Sequence, residues 1–248
     1  MSRAASAIAR PVMPADDAFK AYRYTMLVSS LPHLPPPYTY QHLPITRVQL
    51  EQRLALLTRE DRHLVDVLER LLVPQRLGHF ADDNTLISQA NALLTALPAQ
   101  CQAHVWLQWW LTLNGLGAAL ALRQRGGDTP GALSALPGVG RQLARAWSHP
   151  DFHLAHRYPY LERLAEAVAS GRADTMERGL IDIAWAYFHR ERAVNPCGLE
   201  AIMLYLYRWW LLSRAAPRDP DIARERFLRW VDTLPARDPF TDHEATAP

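Results

Sequence analysis

Residues 105–122 read VWLQWWLTLNGLGAALAL, 18 positions without a charge. A membrane span needs about 20 predominantly apolar residues. This run is shorter, Gln108, Thr112 and Asn114 place polar groups in it, and Gly115 and Gly117 interrupt it. It therefore reads as the centre of a buried helix over residues 99–125, stopped by Gly126-Gly127. A second apolar run, residues 199–215, carries Arg208 in its middle and reads as another core helix. Two helices this apolar must be covered by others, and that requirement sets the fold class.

The surrounding sequence supplies the cover. Thr46-Arg-Val-Gln49 matches a capping box, followed by Leu50, Leu54 and Leu57 at helical spacing. Thr58 caps the next helix, with Glu60 and Asp61 in the first turn, where they suit the helix dipole. Its apolar face carries Leu64, Val67, Leu68, Leu71 and Leu72, and Pro74 closes it. Further helices are expected over 84–97, 141–147, 160–170, 174–192 and 220–234, with a short helical piece at 132–136. The joins are mostly short, as in an antiparallel bundle. Residues 22–30, YRYTMLVSS, read either as one short strand or as the first turn of a helix. Pro32, Pro35, Pro36, Pro37 and Pro44 forbid regular helix in the segment after it, which must be extended. The expectation is an all-α multi-helix bundle with at most a short strand near the N-terminus. Residues 1–20 and 236–248 read as flexible tails. Residues 21–235 read as a single helical domain, with 126–140 as its candidate hinge.

Composition narrows function by exclusion. An apolar share of 49% and a charged share of 21% are ordinary for a globular chain. A net charge of +2 gives no strong field for nucleic acid or an anionic membrane. Cys101 and Cys197 are far apart and form no CxxC pair, which favours a reducing compartment. The N-terminus lacks the apolar core of a secretory signal. A cytoplasmic protein without a transmembrane segment is expected. The sequence contains no Walker loop, no GxGxxG after a strand and no GxSxG, so an enzyme is not expected, and neither is a cofactor or a small-molecule substrate.

Three patterns remain. His149-Pro-Asp-Phe-His153-Leu-Ala-His156 gathers three imidazoles and Asp151, and nitrogen and carboxylate ligands of this kind suit zinc. A helix terminus with capping and surface histidines accounts for the same residues. Pro137-Gly138-Val139-Gly140, followed by Arg141 and Arg145, resembles the hairpin of a helix–hairpin–helix DNA-binding motif. Such a turn offers backbone N–H groups to a phosphate, but a tight turn needs the same glycines for steric reasons. Finally, Trp106, Trp109, Trp110, Trp185, Trp209 and Trp210, together with nearby Tyr and Phe residues, are too many for one helix face. They divide between a core and a helix–helix or intermolecular interface.

Several segments resemble an uncharacterised bacterial family encoded beside V/A-type ATPase subunits. They are 24–32 (YTMLVSSLP), 151–154 (DFHL), the set Glu177, Asp182 and Trp185, and the set Gly198, Glu200, Tyr205, Arg208 and Trp209. Residues 113–123, LNGLGAALALR, are similar to a helix of the C-type subunits of V/A-type ATPases, known as d-type in eukaryotes. Those proteins are all-helical and non-catalytic and join the central stalk to the membrane ring. The resemblance implies a cytoplasmic accessory or adaptor at the inner face of the membrane, held there through the complex. This chain is shorter than the C-type proteins and carries the proline-rich insertion, so a regulator or assembly factor is implied as readily. Trp106, Trp109, Trp110, Asn114, Arg123, Arg208 and Trp209 are the candidates for partner contact. The alternatives are a DNA-associated protein using Gly138, Gly140 and Arg141, and a metal-binding protein using His149, His153 and His156.

Overall fold

The computed structural model describes residues 22–72, 83–97 and 101–216. Among the described residues there are nine α-helices and no strand. In chain order they are α1 (Thr25–Ser30), α2 (Arg47–Leu54), α3 (Arg59–Leu72), α4 (Asp83–Ala96), α5 (Gln102–Gln124), α6 (Gly140–Arg145), α7 (Leu161–Ala169), α8 (Ala173–Arg190) and α9 (Leu199–Ala215). A 3-10 turn, Gly131–Ala135, precedes α6. The YRYTMLVSS stretch is helical, because Tyr24 and Leu27 turn inward together and are buried. The helix expected over 220–234 and both tails lie outside the described residues.

The uncharged run is the axis of the main core. Helix α5 contacts α4, α7, α8 and α9. Trp106, Leu107, Leu113, Leu116 and Ala119 along it are essentially inaccessible. Its start uses a cap that no sequence motif announces: Cys101 Sγ accepts from the His104 N–H at 3.4 Å. Its end is a Schellman motif. Gly126 takes φ 84°, its N–H donates to Arg123 O at 2.9 Å, and Gly127 N–H donates to Leu122 O at 3.0 Å. The segment 126–140 then returns to the same core through Leu136 and Val139. Gly140 is buried there, and a Cβ on it would stand 2.3 Å from the Ser134 carbonyl oxygen.

A second core forms at the N-terminal end, and α9 belongs to both. Met203, Leu204, Tyr207 and Leu211 face the main core. Ile202, Leu206, Trp209 and Leu212 face Tyr24, Leu27, Leu50 and Leu54. Two apolar stripes at helical spacing explain why α9 reads as apolar all round. The proline-rich segment is a strap over this second core. Its Leu34 and Ile45 are buried. With few N–H groups to offer, it docks through its carbonyls and one tyrosine. Tyr205 Oη donates to Pro32 O at 3.1 Å, and Trp209 Nε1 donates to Ile45 O at 3.0 Å. Tyr40 Oη donates to Leu212 O, a carbonyl that the last turn of α9 leaves without a helical partner.

Among the described residues, one acid lies inside. Glu69 of α3 is fully buried, and its Oε2 meets Arg47 Nη2 at 2.7 Å. Arg47 also pairs with Glu51 and lies over the Trp210 ring at 4.9 Å. Burial pushes the Glu69 carboxyl above its ordinary value of 4.5, and Arg47 offsets this only in part.

Three outcomes follow from this architecture. Trp209→Ala should cost about 3–5 kcal/mol by chemical denaturation, because a large side chain and a buried hydrogen bond go together. Gly140→Ala should cost about 1–3 kcal/mol, since the opposing atom is backbone and cannot rotate away. A folded-state pKa above the unfolded one means that the protonated form is favoured by folding. Glu69 therefore contributes stability below pH 4.5 that is lost as pH rises through its folded value. Glu69→Gln should flatten that part of the stability–pH profile, with its relative stability increasing across the window.

Candidate functional site

A cleft of about 430 Å³ opens where the strap meets the C-terminal end of α8 and the adjoining face of α9. Val28, Trp185, Leu204 and Tyr205 contribute apolar and aromatic walls. Arg208, Arg192, His189 and His33 bring basic groups, and among the described residues no Asp or Glu lines the cleft. Arg208 explains its place in an apolar helix. Its Nε and Nη2 donate to Phe188 O at 3.0 and 2.7 Å, and Nη2 also donates to Glu191 O at 2.9 Å. It thereby satisfies carbonyls at the end of α8 that no helical N–H reaches. These bonds leave Nη1 uncommitted. Burial and then the nearby Arg192 lower the Arg208 pKa, while Glu191 acts in the opposite direction. The Glu191 carboxylate is directed elsewhere: its Oε2 accepts from Trp106 Nε1 at 2.8 Å. The Trp185 ring stacks against His189 at 5.7 Å. A half-buried guanidinium beside a second one, with no carboxylate opposite, suits an anionic group flanked by apolar surface.

Of the candidates for partner contact, only Arg208 lines the cleft. His33 is far in the chain from His189 and Arg192, which lie at and just past the end of α8, and none of the three carries a local signature. A cation in the middle of an apolar helix was the one available signal.

The histidine pattern folds into the turns between α6 and α7. A ring nitrogen from each of His149 and His153 and a carboxylate oxygen of Asp151 lie within 4.8 Å of one another, and His156 is outside that group. The Asp151 carboxylate accepts from the N–H of His153 at 2.9 Å and of Ala155 at 3.3 Å, and its Oδ1 also meets His149 Nδ1. Desolvation would raise its pKa, but these bonds outweigh that and hold it below the ordinary value. Phe152 and His153 have φ of 53° and 55°, a left-handed conformation that costs about 1–3 kcal/mol per non-glycine residue. Arg123 supports the turn from beneath. It donates to His149 O at 2.6 Å and to Pro150 O, and lies over the buried Phe152 ring at 4.4 Å.

The aromatic candidates are mainly internal. Trp106, Trp110 and Trp209 are buried. Trp109 is half-buried and stacks on Tyr187 at 3.8 Å. Asn114 turns its side-chain amide back to Trp110 O at 2.8 Å. In the glycine hairpin, Gly138 takes φ 82°, and Gly140 spends its N–H on Leu136 O at 2.9 Å. Close approach to Ser134 and the left-handed backbone account for both glycines without a phosphate. Arg141 is exposed beside them.

Compared with known proteins, the chain matches no protein-family model, no curated protein and no solved structure.

Arg123→Lys should loosen the strained turn, because an ammonium cannot bond two carbonyls and lie flat on a ring together. A loss of about 2 kcal/mol is expected, with faster hydrogen exchange at the amides of His153 and Ala155.

Proposed function

We propose that this protein is a non-catalytic helical interaction subunit, an accessory or adaptor of a bacterial V/A-type rotary ATPase, and that it engages its partner through the cleft beside α9. The observation that carries this reading is where the resembling residues lie. Segment 24–32, Trp185 and the helix that carries Tyr205 and Arg208 are distant in sequence, yet Val28, Leu31, Pro32, Trp185, Tyr205 and Arg208 line one cleft. The buried tryptophans are committed to the two cores, which leaves the cleft as the better partner surface. Its chemistry selects an acidic segment of a partner protein, with carboxylates for Arg192 and Arg208 and an apolar side chain for the Trp185 wall. No helix among the described residues is long and apolar enough to cross a membrane. In this reading, attachment to the ring or the central stalk runs through protein contacts.

The test is recovery of ATPase subunits from native membranes by the tagged full-length chain. Arg192→Glu is the informative variant, because the Arg192 side chain is exposed and donates to carbonyls of its own turn, those of His189 and Glu191, while its backbone carbonyl keeps the bond from Gln102 Nε2 in the variant. Recovery should fall at least tenfold with Arg192→Glu and decline with added salt, as exposed charge pairs do. Failure of the wild-type chain to recover any ATPase subunits at low salt would overturn the assignment to that complex. Undiminished recovery by Arg192→Glu would remove the cleft from it.

A further inference from the structure

We propose that the turn between α6 and α7 binds a divalent transition-metal ion of the zinc class through His149, Asp151 and His153. This goes beyond the partner reading and uses a different part of the fold. The three donor atoms lie within 4.8 Å of one another. Around a tetrahedral zinc, with bonds of about 2.0–2.1 Å, donors stand about 3.3 Å apart. The exposed His153 side chain can close the difference by rotation. Two imidazoles and a carboxylate are the ligand types that such an ion prefers, and water completes the shell.

The turn is organised before any ion arrives. Phe152 is fully buried and anchors the chain, and the two left-handed residues reverse it. That reversal folds His153 back over His149, with ring centroids 3.6 Å apart. Among the described residues, none hydrogen-bonds the His153 ring nitrogens; the residue's bonded group is its backbone N–H. Asp151 is oriented by the amides of His153 and Ala155, as outer-shell bonds orient metal-binding carboxylates. The Arg123 guanidinium is nearby, but it lies on the Phe152 ring and donates to the His149 and Pro150 carbonyls. A bound ion would replace the His149–Asp151 contact with two metal bonds, within a turn that Arg123 already fixes to α5. His156, the third imidazole of the sequence pattern, takes no part.

The experiment is calorimetric titration of Zn²⁺ into the metal-free full-length chain near neutral pH, repeated with Co²⁺ to read coordination from its visible absorption. One ion per chain at micromolar affinity is expected, with a rise in Tm. His149→Gln and His153→Asn should each weaken binding at least about tenfold and abolish the rise in Tm. Asn tolerates the left-handed backbone, so the turn is preserved. His156→Asn should bind as the wild type does, and circular dichroism without metal checks that all variants fold. Absence of saturable uptake by the folded wild-type chain would overturn the proposal. So would equal uptake by His149→Gln and His153→Asn, which would assign the ions to other imidazoles.

Discussion

Helix α9 is buried on two sides, and most of the molecule is arranged by that constraint. One stripe, running through Met203, Tyr207 and Leu211, completes the core around α5. The other, through Ile202, Leu206 and Trp209, requires a second set of apolar partners. The chain supplies them with α1, α2 and a strap whose prolines exclude it from any helix. Burying a single large apolar side chain contributes about 1.5–3 kcal/mol, so a helix carrying eight on two faces cannot be left half covered. The cleft is a consequence of the same geometry, because it lies where the strap, the end of α8 and α9 converge without closing.

Arginine serves in both candidate sites as a tether for backbone carbonyls. Arg208 closes the C-terminal end of α8, and Arg123 holds the strained turn after α6. Each guanidinium also faces a site whose chemistry needs a nearby fixed framework: an anion cleft in one case and a histidine–aspartate cluster in the other. A planar donor with several N–H groups can bond carbonyls and still present a free edge or lie on a ring. The single lysine among 27 basic residues thus coincides with structural roles that lysine fills poorly. Glu69 and Arg47 show the cost of the opposite situation, where the acid is enclosed, its arginine partner stays partly exposed, and burial dominates the acid's protonation.

Local signals were legible wherever helix ends and periodicity carry them. The Thr46 capping box is present with both of its hydrogen bonds. The boundaries 199–215 and the stop at Gly126-Gly127 coincide with the structure. The ambiguity at 22–30 was real at the sequence level, because β-branched and aromatic residues fit a strand or a buried helical turn equally well. Contact with Leu50, Leu54 and α9 decides it in favour of helix. Cys101 as a helix cap was not legible, since a thiol is a weak acceptor and an uncommon one in that role.

The uncharged run, the capped amphipathic segments and the proline strap determined by themselves that this protein is helical, because hydrogen-bonding geometry and apolar periodicity are local properties. They did not determine which tryptophans would face inward, or that Arg192, Arg208, His33 and His189 would share one cleft. Nor did they show that Asp151, rather than His156, would stand beside His149 and His153. Those choices depend on contacts between segments far apart in the chain, or on two left-handed residues held by Arg123. Only the tertiary structure, by burying Phe152 and both faces of α9, could decide them.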